Sequence, residues 1–311
     1  MHMIKNELKK VFLSNKDPFT DILGQEKVKQ QLKSALLMNR HIILVGPPGI
    51  GKTTLAKNIS KLLPTGLKNF VRIQGSPDLT AEDLLGDIDP IKALKYGPLS
   101  LEAFQKGKIF KADKGILFFD ELNRCPEKLQ NALLQVLGEG KATIGSYDVD
   151  FDIDFLFIGT MNPEDSSTER LSDVLLDRFD LIYMGYPETL EIEKEIVKQK
   201  GEKLEVNFPD NLFTLAIYFV RLLREDDKLE KKPSVRASLG LYERAQSNAL
   251  LDNRKTVKIE DIQETIVSVL SHRIRLKPSV KYLQSPKEFI EEEFKKFLSN
   301  SEELIEKGDY R

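Results

Sequence analysis

The stretch HIILVGPPGIGKTTLAKNISKLL, residues 41–63, decides the fold. HIILV is a continuous apolar run, as in a strand buried on both faces of a sheet. GPPGIGKT, residues 46–53, follows at once, and segment 51–63 reads as a helix stopped by Pro64. Strand, glycine loop and helix in that order match the phosphate-binding pattern GxxxxGK[ST] in the context that gives it meaning. The glycines let backbone N–H groups turn inward onto phosphate oxygens, and the helix N-terminus adds partial positive charge. Lys52 is placed to reach the β- and γ-phosphates of a nucleotide, Thr53 to set a hydroxyl on Mg2+, and Thr54 to sit near the α-phosphate.

The same alternation continues downstream. FVRIQ (70–74), GILFFD (115–120), DFLFIGT (154–160) and DLIYMGY (180–186) read as strands. TAEDLLG (80–86) reads as a short helix that Thr80 caps and Asp83 closes, and PEKLQNALLQVLGEG (126–140) as a longer one. Strands alternating with helices predict an α/β fold, a mostly parallel sheet flanked by helices. Two insertions interrupt it: residues 86–112, and KATIGSYDVDFDI (141–153), a hairpin turning at Gly145-Ser146. From Glu188 onward the strand pattern stops and long helical patterns take over, predicting a second, all-helical domain. Residues 277–311 are charged and read as a helical tail around KEFIEEEFKKFL, and residues 4–13 as a short amphipathic helix.

Composition narrows the function. The 311 residues carry 47 Lys+Arg against 49 Asp+Glu, a formal net charge of −2. A protein whose main task is wrapping a nucleic-acid backbone normally presents a basic surface. One cysteine, Cys125, permits no internal disulfide and fits a reducing cytoplasm, with thiol packing as its role. The opening MHMIKNELKK has no apolar signal core, and the longest apolar run, LFTLAIYFV, is too short to span a bilayer. The three histidines are scattered and offer no metal set.

Acids and an amide gather where strands end. ILFFDELNR (116–124) closes a buried strand with Asp120, placed to hold Mg2+ through its water shell, and Glu121, placed to polarise an attacking water. GTMNP (159–163) puts Asn162 at another strand's carboxyl end, where open α/β sheets bind ligands. VLLDRFD (174–180) holds Arg178 between Asp177 and Asp180, a pattern that by itself also makes a local salt bridge.

Taken together these segments resemble the AAA+ ATPases, and more narrowly the MoxR-type branch related to the magnesium-chelatase I subunit. DILGQEKV, LVGPPGIGKT, RIQGSPDLTAEDLLG, GILFFDELNR, LLQVLGEG, GTMNP, LLDRFD and PSVRAS occur in the family's order over about residues 20–275. The resemblance implies a P-loop NTPase fold: a nucleotide-binding domain at 20–187 after an extension at 1–19, a helical lid at 188–276 and a tail at 277–311. It makes segment 86–112 the helix-2 insert and 141–153 the pre-sensor hairpin. It implies an adenine pocket of Ile22, Leu23 and Gly24. The phosphate loop would be Gly46, Pro47, Pro48, Gly49, Ile50 and Gly51 with Lys52, Thr53, Thr54 and Leu55. Thr53 and Asp120 would hold Mg2+. Lys52, Glu121, Asn162 and Arg236 would act on the nucleotide, Asn162 as the first sensor and Arg236 as the second. Arg178 would be an arginine finger serving the neighbouring subunit. Arg124 and Arg170 are further candidates for the subunit interface, with an intrachain salt bridge as the alternative for Arg124.

The activity implied is Mg2+-dependent ATP hydrolysis by a homo-oligomeric ring, by resemblance a hexamer. The client divides the readings. One is a chaperone motor that remodels proteins or helps insert a metal or cofactor, with a von Willebrand A-domain protein as partner. The alternative is a helicase-like nucleic-acid motor using the hairpin and the insert. Asp148, Asp150, Asp152 and Asp154 in the hairpin carry the wrong sign for tracking phosphates, whereas Lys92, Lys95, Lys106 and Lys108 in the insert carry the right one. A non-hydrolysing scaffold is the third reading, and the full set of site residues argues against it.

Overall fold

The computed structural model describes residues 8–14, 17–63, 70–98, 100–144, 149–163 and 171–307. The chain divides into two compact units, one of Met1–Pro47 and Gly51–Gly185, the other of Pro48–Ile50 and Tyr186–Arg311.

The first unit is built on five strands: β1 (Ile42–Val45), β2 (Phe70–Gln74), β5 (Ile116–Asp120), β8 (Leu156–Met161) and β9 (Asp180–Tyr183). They pair in parallel in the order β2-β5-β8-β1-β9. Burial follows position. β1 and β5 are buried at every residue, which is why they read as unbroken apolar runs. The edge strand β2 keeps Arg72 and Gln74 exposed. The helix α1 (Glu26–Leu37) precedes β1, α2 (Lys52–Lys61) follows it, and α6 (Glu127–Glu139) follows β5. Leu129, Leu133 and Val136 of α6 pack with Ile43, Leu117, Phe119 and Phe157 of the sheet in one core. At the sheet's amino end the ring of His41 accepts a hydrogen bond from the Phe157 N–H at 3.1 Å. Burial pushes its pKa down to about 4, so it accepts as a neutral imidazole at neutral pH.

The insert has structure of its own. Helix α3 (Ala81–Leu85) carries the predicted capping box of Thr80 and Asp83. It runs into β3 (Gly86–Ile88), α4 (Pro90–Tyr96), β4 (Phe104–Lys106) and α5 (Lys108–Lys111), with β3 and β4 antiparallel. No residue of α4 is buried, and Ile91 and Leu94 stand 80% and 91% exposed. The second insertion forms the antiparallel pair β6 (Lys141–Ile144) and β7 (Val149–Asp152). Its expected turn at Gly145-Ser146 lies outside the described residues, as do Asp148 and the side chain of Asp150.

The second unit is helical: α8 (Leu190–Lys200), α9 (Asp210–Glu225), α10 (Val235–Leu251), α11 (Ile259–Leu270), the short α12 (Pro278–Lys281) and α13 (Pro286–Lys307). Two of its details differ from the sequence reading. Strands do not end at Glu188, because β10 (Leu229–Lys231) pairs antiparallel with β11 (Arg275–Leu276). The segment read as a helical tail from 277 is helical, and it packs into this unit instead of standing as a separate segment. Phe289, Ile290 and Phe294 of α13 are buried in the same core as Phe219, Leu241 and Ile266, and the Phe219 and Phe294 rings meet edge-on at 4.9 Å.

A buried ionic cluster fastens this unit together. Glu193 is fully buried and takes two hydrogen bonds of 2.7 Å from the Arg224 guanidinium and one of 2.6 Å from the Ser238 hydroxyl. Arg224 also donates from Nε to the Pro233 carbonyl at 2.8 Å and lies over the Tyr186 ring. Arg221 adds a 3.3 Å contact to Glu193 and donates to the carbonyls of Pro187 and Glu188. The cluster ties the entry segment 187–189 to the first turns of α10. Removing one member of a buried pair strands the other charge. Glu193→Ala is therefore expected to lower stability by about 3–5 kcal/mol, seen as a fall in the urea midpoint. An unchanged midpoint would show that Arg224 finds other solvation.

Candidate functional site

The phosphate loop sits between the carboxyl end of β1 and the start of α2. Gly49 and Gly51 hold φ of 78° and 99°, left-handed values that cost a side-chain-bearing residue energy. Gly51 is the N-cap of α2 and brings no capping side chain, so the first N–H groups of the helix are presented to whatever enters the loop. The Lys52 ammonium folds back over the loop and donates to the carbonyls of Gly46 at 2.6 Å and Pro47 at 2.7 Å. Thr53, Thr54 and Leu55 follow on the first turn of α2, with Leu55 buried. Ile22 is buried beside this turn, its Cδ1 3.8 Å from where a Cβ on Gly51 would stand. Leu23 is half-buried, and Gly24 and Gln25 both take left-handed backbone before α1.

The acid end of the site is assembled from three strands. Asp120 closes β5 and is 8% exposed. Its Oδ1 accepts the Thr160 hydroxyl at 2.6 Å, and its Oδ2 accepts Thr53 at 3.3 Å and Arg72 at 2.6 Å. Glu121 has left-handed backbone, φ 56°, and its N–H donates to Thr160 Oγ1 at 2.9 Å. The Glu121 carboxylate is met by Gln74 at 3.0 Å and by Arg124 at 3.2 Å, so Arg124 makes the intrachain ion pair that was its alternative reading. Asn162 follows β8 directly, its carbonyl accepting from the buried Asn123 at 3.0 Å. Gly75 is required here, because a Cβ at that position would stand 2.1 Å from the Glu121 carbonyl oxygen.

The structure thus brings Thr53, Asp120 and Glu121 together. It adds Arg72, Gln74, Thr160 and Asn123, which sequence reading passed over. Arg72 and Gln74 alternate on β2 and so face the same side, and Gln74 lies in register with Asp120. Polar residues at i and i+2 in a strand otherwise apolar were the available signal for these two.

The donor set fits a magnesium ion. Asp120 and Thr53 offer hard oxygens within hydrogen-bonding distance of each other, and Arg72 shares the carboxylate oxygen that faces Thr53. No cluster of three or more His, Cys, Asp or Glu side chains suited to a metal occurs among the described residues. One carboxylate with a hydroxyl, completed by phosphate and water, is the way Mg2+ is usually held.

Two arginines also read as site residues in the sequence. Arg178 follows helix α7 (Asp173–Leu176). Its Nη1 donates to the Val174 carbonyl at 2.7 Å, and its Nε lies against Gly138 and has no hydrogen-bond partner among the described residues. No ion pair joins Arg178 to Asp177 or Asp180 among the described residues, and Asp180 pairs with Arg40 at 2.9 Å instead. Arg236 is exposed on the first turn of α10 in the second unit. Arg170 lies outside the described residues.

A family described as the AAA domain, dynein-related subfamily, matches residues 41–179, and one described as the AAA lid domain matches residues 223–293. The chaperone MoxR1 of Mycobacterium tuberculosis is 30% identical, over 82% of this chain and 73% of that protein. The chain belongs to the MoxR-type AAA+ ATPases. The chloroplastic magnesium-chelatase subunit ChlI of Glycine max is 26% identical to this MoxR-type chain, over 84% of it and 75% of the plant protein. The RuvB Holliday junction branch migration motor of Thermotoga maritima shares the fold, with a TM-score of 0.51 and 22% identity, covering 80% of this chain and 70% of RuvB. The lid match includes Phe289 and Ile290, in keeping with the place of α13 in the lid core. No helix among the described residues is long and apolar enough to cross a membrane.

Proposed function

We propose that this MoxR-type chain hydrolyses ATP in a ring of its own copies and spends the resulting motion on a protein client. The observation that carries the reading is the convergence of Lys52, Thr53, Asp120 and Glu121 at the carboxyl ends of β1 and β5, beside the end of β8. Lys52 and the loop N–H groups bind the phosphates, and Ile22, Leu23 and Gly24 line the adenine site. Thr53 and Asp120 would hold Mg2+, which would supply charge neutralisation at the phosphate oxygens. Glu121 takes the proton of the attacking water, and Asn162 orients that water against the γ-phosphate. Arg178 reaches the γ-phosphate bound by a neighbouring copy, and Arg236 contributes from the lid. A site shared between copies is a head-to-tail contact, which closes into a ring, hexameric by analogy with the family.

For the client, a protein is favoured. Ile91 and Leu94 of α4 are exposed one turn apart on one helix face, the kind of apolar surface that meets protein. Two relatives point the same way by name, one a chaperone and one a magnesium-chelatase subunit. A cytoplasmic chaperone with a von Willebrand A-domain partner, assisting metal or cofactor insertion, fits these features. The test is Mg2+-dependent phosphate release by the full chain at low salt, with and without single- and double-stranded DNA. Turnover indifferent to DNA is expected. Turnover strongly raised by DNA would replace the protein client with a nucleic acid, and no turnover at high protein concentration would overturn the ATPase reading.

A further inference from the structure

Thr160 is a hydroxyl where the sheet calls for a methyl. It lies in LFIGTM, in the middle of the sheet, paired with Leu44 of β1, and it is fully buried. Valine has nearly the same shape, favours strands, and would carry no desolvation cost at this point. A buried hydroxyl is tolerable only with partners, and Thr160 has two that belong to the site. It donates to Asp120 Oδ1 at 2.6 Å and accepts the Glu121 N–H at 2.9 Å. A hydroxyl has one proton to give and lone pairs to receive, so both bonds form at once.

Each bond has a consequence for geometry. Committing Oδ1 to Thr160 fixes the rotation of the Asp120 carboxylate, which leaves Oδ2 facing Thr53 and Arg72. Capturing the Glu121 N–H fixes the peptide between the two acids. Glu121 takes φ 56° and ψ 51°, a left-handed conformation that costs a non-glycine residue about 1 kcal/mol or more. That backbone turns the chain out of the strand direction, where Gln74 and Arg124 meet the Glu121 carboxylate. One hydroxyl on β8 therefore aims two neighbouring carboxylates that have different tasks.

We propose that Thr160 is a positioning residue of the ATPase site, and that its hydroxyl rather than its bulk sets how Asp120 meets Mg2+ and how Glu121 meets water. The inference rests on the roles assigned above to Asp120 and Glu121. Its test compares Thr160→Val, Thr160→Ala and Thr160→Ser in the full chain. The readouts are Mg2+ titrations of fluorescent ATP-analogue binding, binding of the analogue without Mg2+, phosphate release and the melting temperature. Val and Ala, lacking the hydroxyl, should raise the Mg2+ midpoint by about tenfold, as expected for one lost hydrogen bond to a charged group. Binding without Mg2+ should be unchanged and turnover should fall at least about tenfold. Ser, which keeps the hydroxyl and loses the methyl, should keep the wild-type Mg2+ midpoint and turnover within about twofold even if its melting temperature drops.

A wild-type Mg2+ midpoint and turnover in either hydroxyl-free variant would overturn the proposal. So would equal losses in Ser and Val that track melting temperature alone. Should Val fail to fold, Ala, which relieves any crowding, decides by the same criteria, and should neither fold, Ser decides alone, a raised Mg2+ midpoint in it counting against the hydroxyl. Glu121→Gln separates this inference from the reading beneath it. An inactive Glu121→Gln with an unperturbed Thr160→Val removes only the role of Thr160, whereas an active Glu121→Gln removes the assignment of Glu121 itself.

Discussion

Glu121→Gln should bind ATP as the wild type does and release phosphate at least about a hundredfold more slowly, the usual worth of a positioned general base. The substitution keeps the size and shape of the side chain but removes its ability to take a proton from water. The parts that grip the nucleotide are elsewhere, on the loop at 46–51 and at Lys52, whose ammonium is organised by the carbonyls of Gly46 and Pro47. The backbone that carries Glu121 is anchored from below by its own N–H on Thr160, which the substitution leaves intact. Arg124 loses an ion pair at 3.2 Å, but both partners are more than a third exposed, so little stability goes with it. Analogue binding and phosphate release on the same preparation test the separation. Normal turnover would take Glu121 out of the mechanism, and lost binding would show that its charge shapes the pocket instead.

The contrast between Glu121 and Arg72 shows where a sequence stops being readable. Glu121 lies beside Asp120 in the chain, at the end of an apolar run, so its place at a strand's carboxyl end follows from local pattern. Likewise the loop at 46–53 declares itself through glycines set between a buried strand and a helix. Arg72 reaches Asp120 only because β2 pairs with β5 in one register, across 48 residues of sequence. That pairing skips over α3 and the whole insert, and nothing local specifies it. Thr160 was visible as a polar residue in an apolar run, yet its partners depend on β8 lying next to β5. The lid shows a different limit. β10 and β11 have three and two residues, too few for any periodicity to show, and they pair because helices bring them together. The segment from 277 read as a charged helical tail, but the apolar residues of α13 at 289, 290, 294 and 297 fall at helical spacing and one face goes into the core.

Arg178 carries the prediction with the largest effect. Within its own chain this guanidinium has one hydrogen bond, to the Val174 carbonyl, and no carboxylate partner among the described residues. The acid two residues on is already occupied, since Asp180 takes both Nε and Nη2 of Arg40. The guanidinium lies against Gly138 at the carboxyl end of α6, where the helix dipole favours a cation, and no carboxylate among the described residues competes with an anion from another copy. If that anion is the γ-phosphate on a neighbouring copy, Arg178→Ala should lower turnover by about 10³-fold or more, the range found for arginine fingers. Its ATP affinity should stay near that of the wild type. Lys52→Ala should be equally inactive, for loss of nucleotide binding. Mixed rings of the two variants then place an intact loop beside an intact arginine at some interfaces, and activity should return in part. Crosslinking or native mass measurement establishes that mixing has occurred. Mixed rings that stay as inactive as either parent would confine Arg178 to its own subunit, where its lack of an acidic partner would need another explanation.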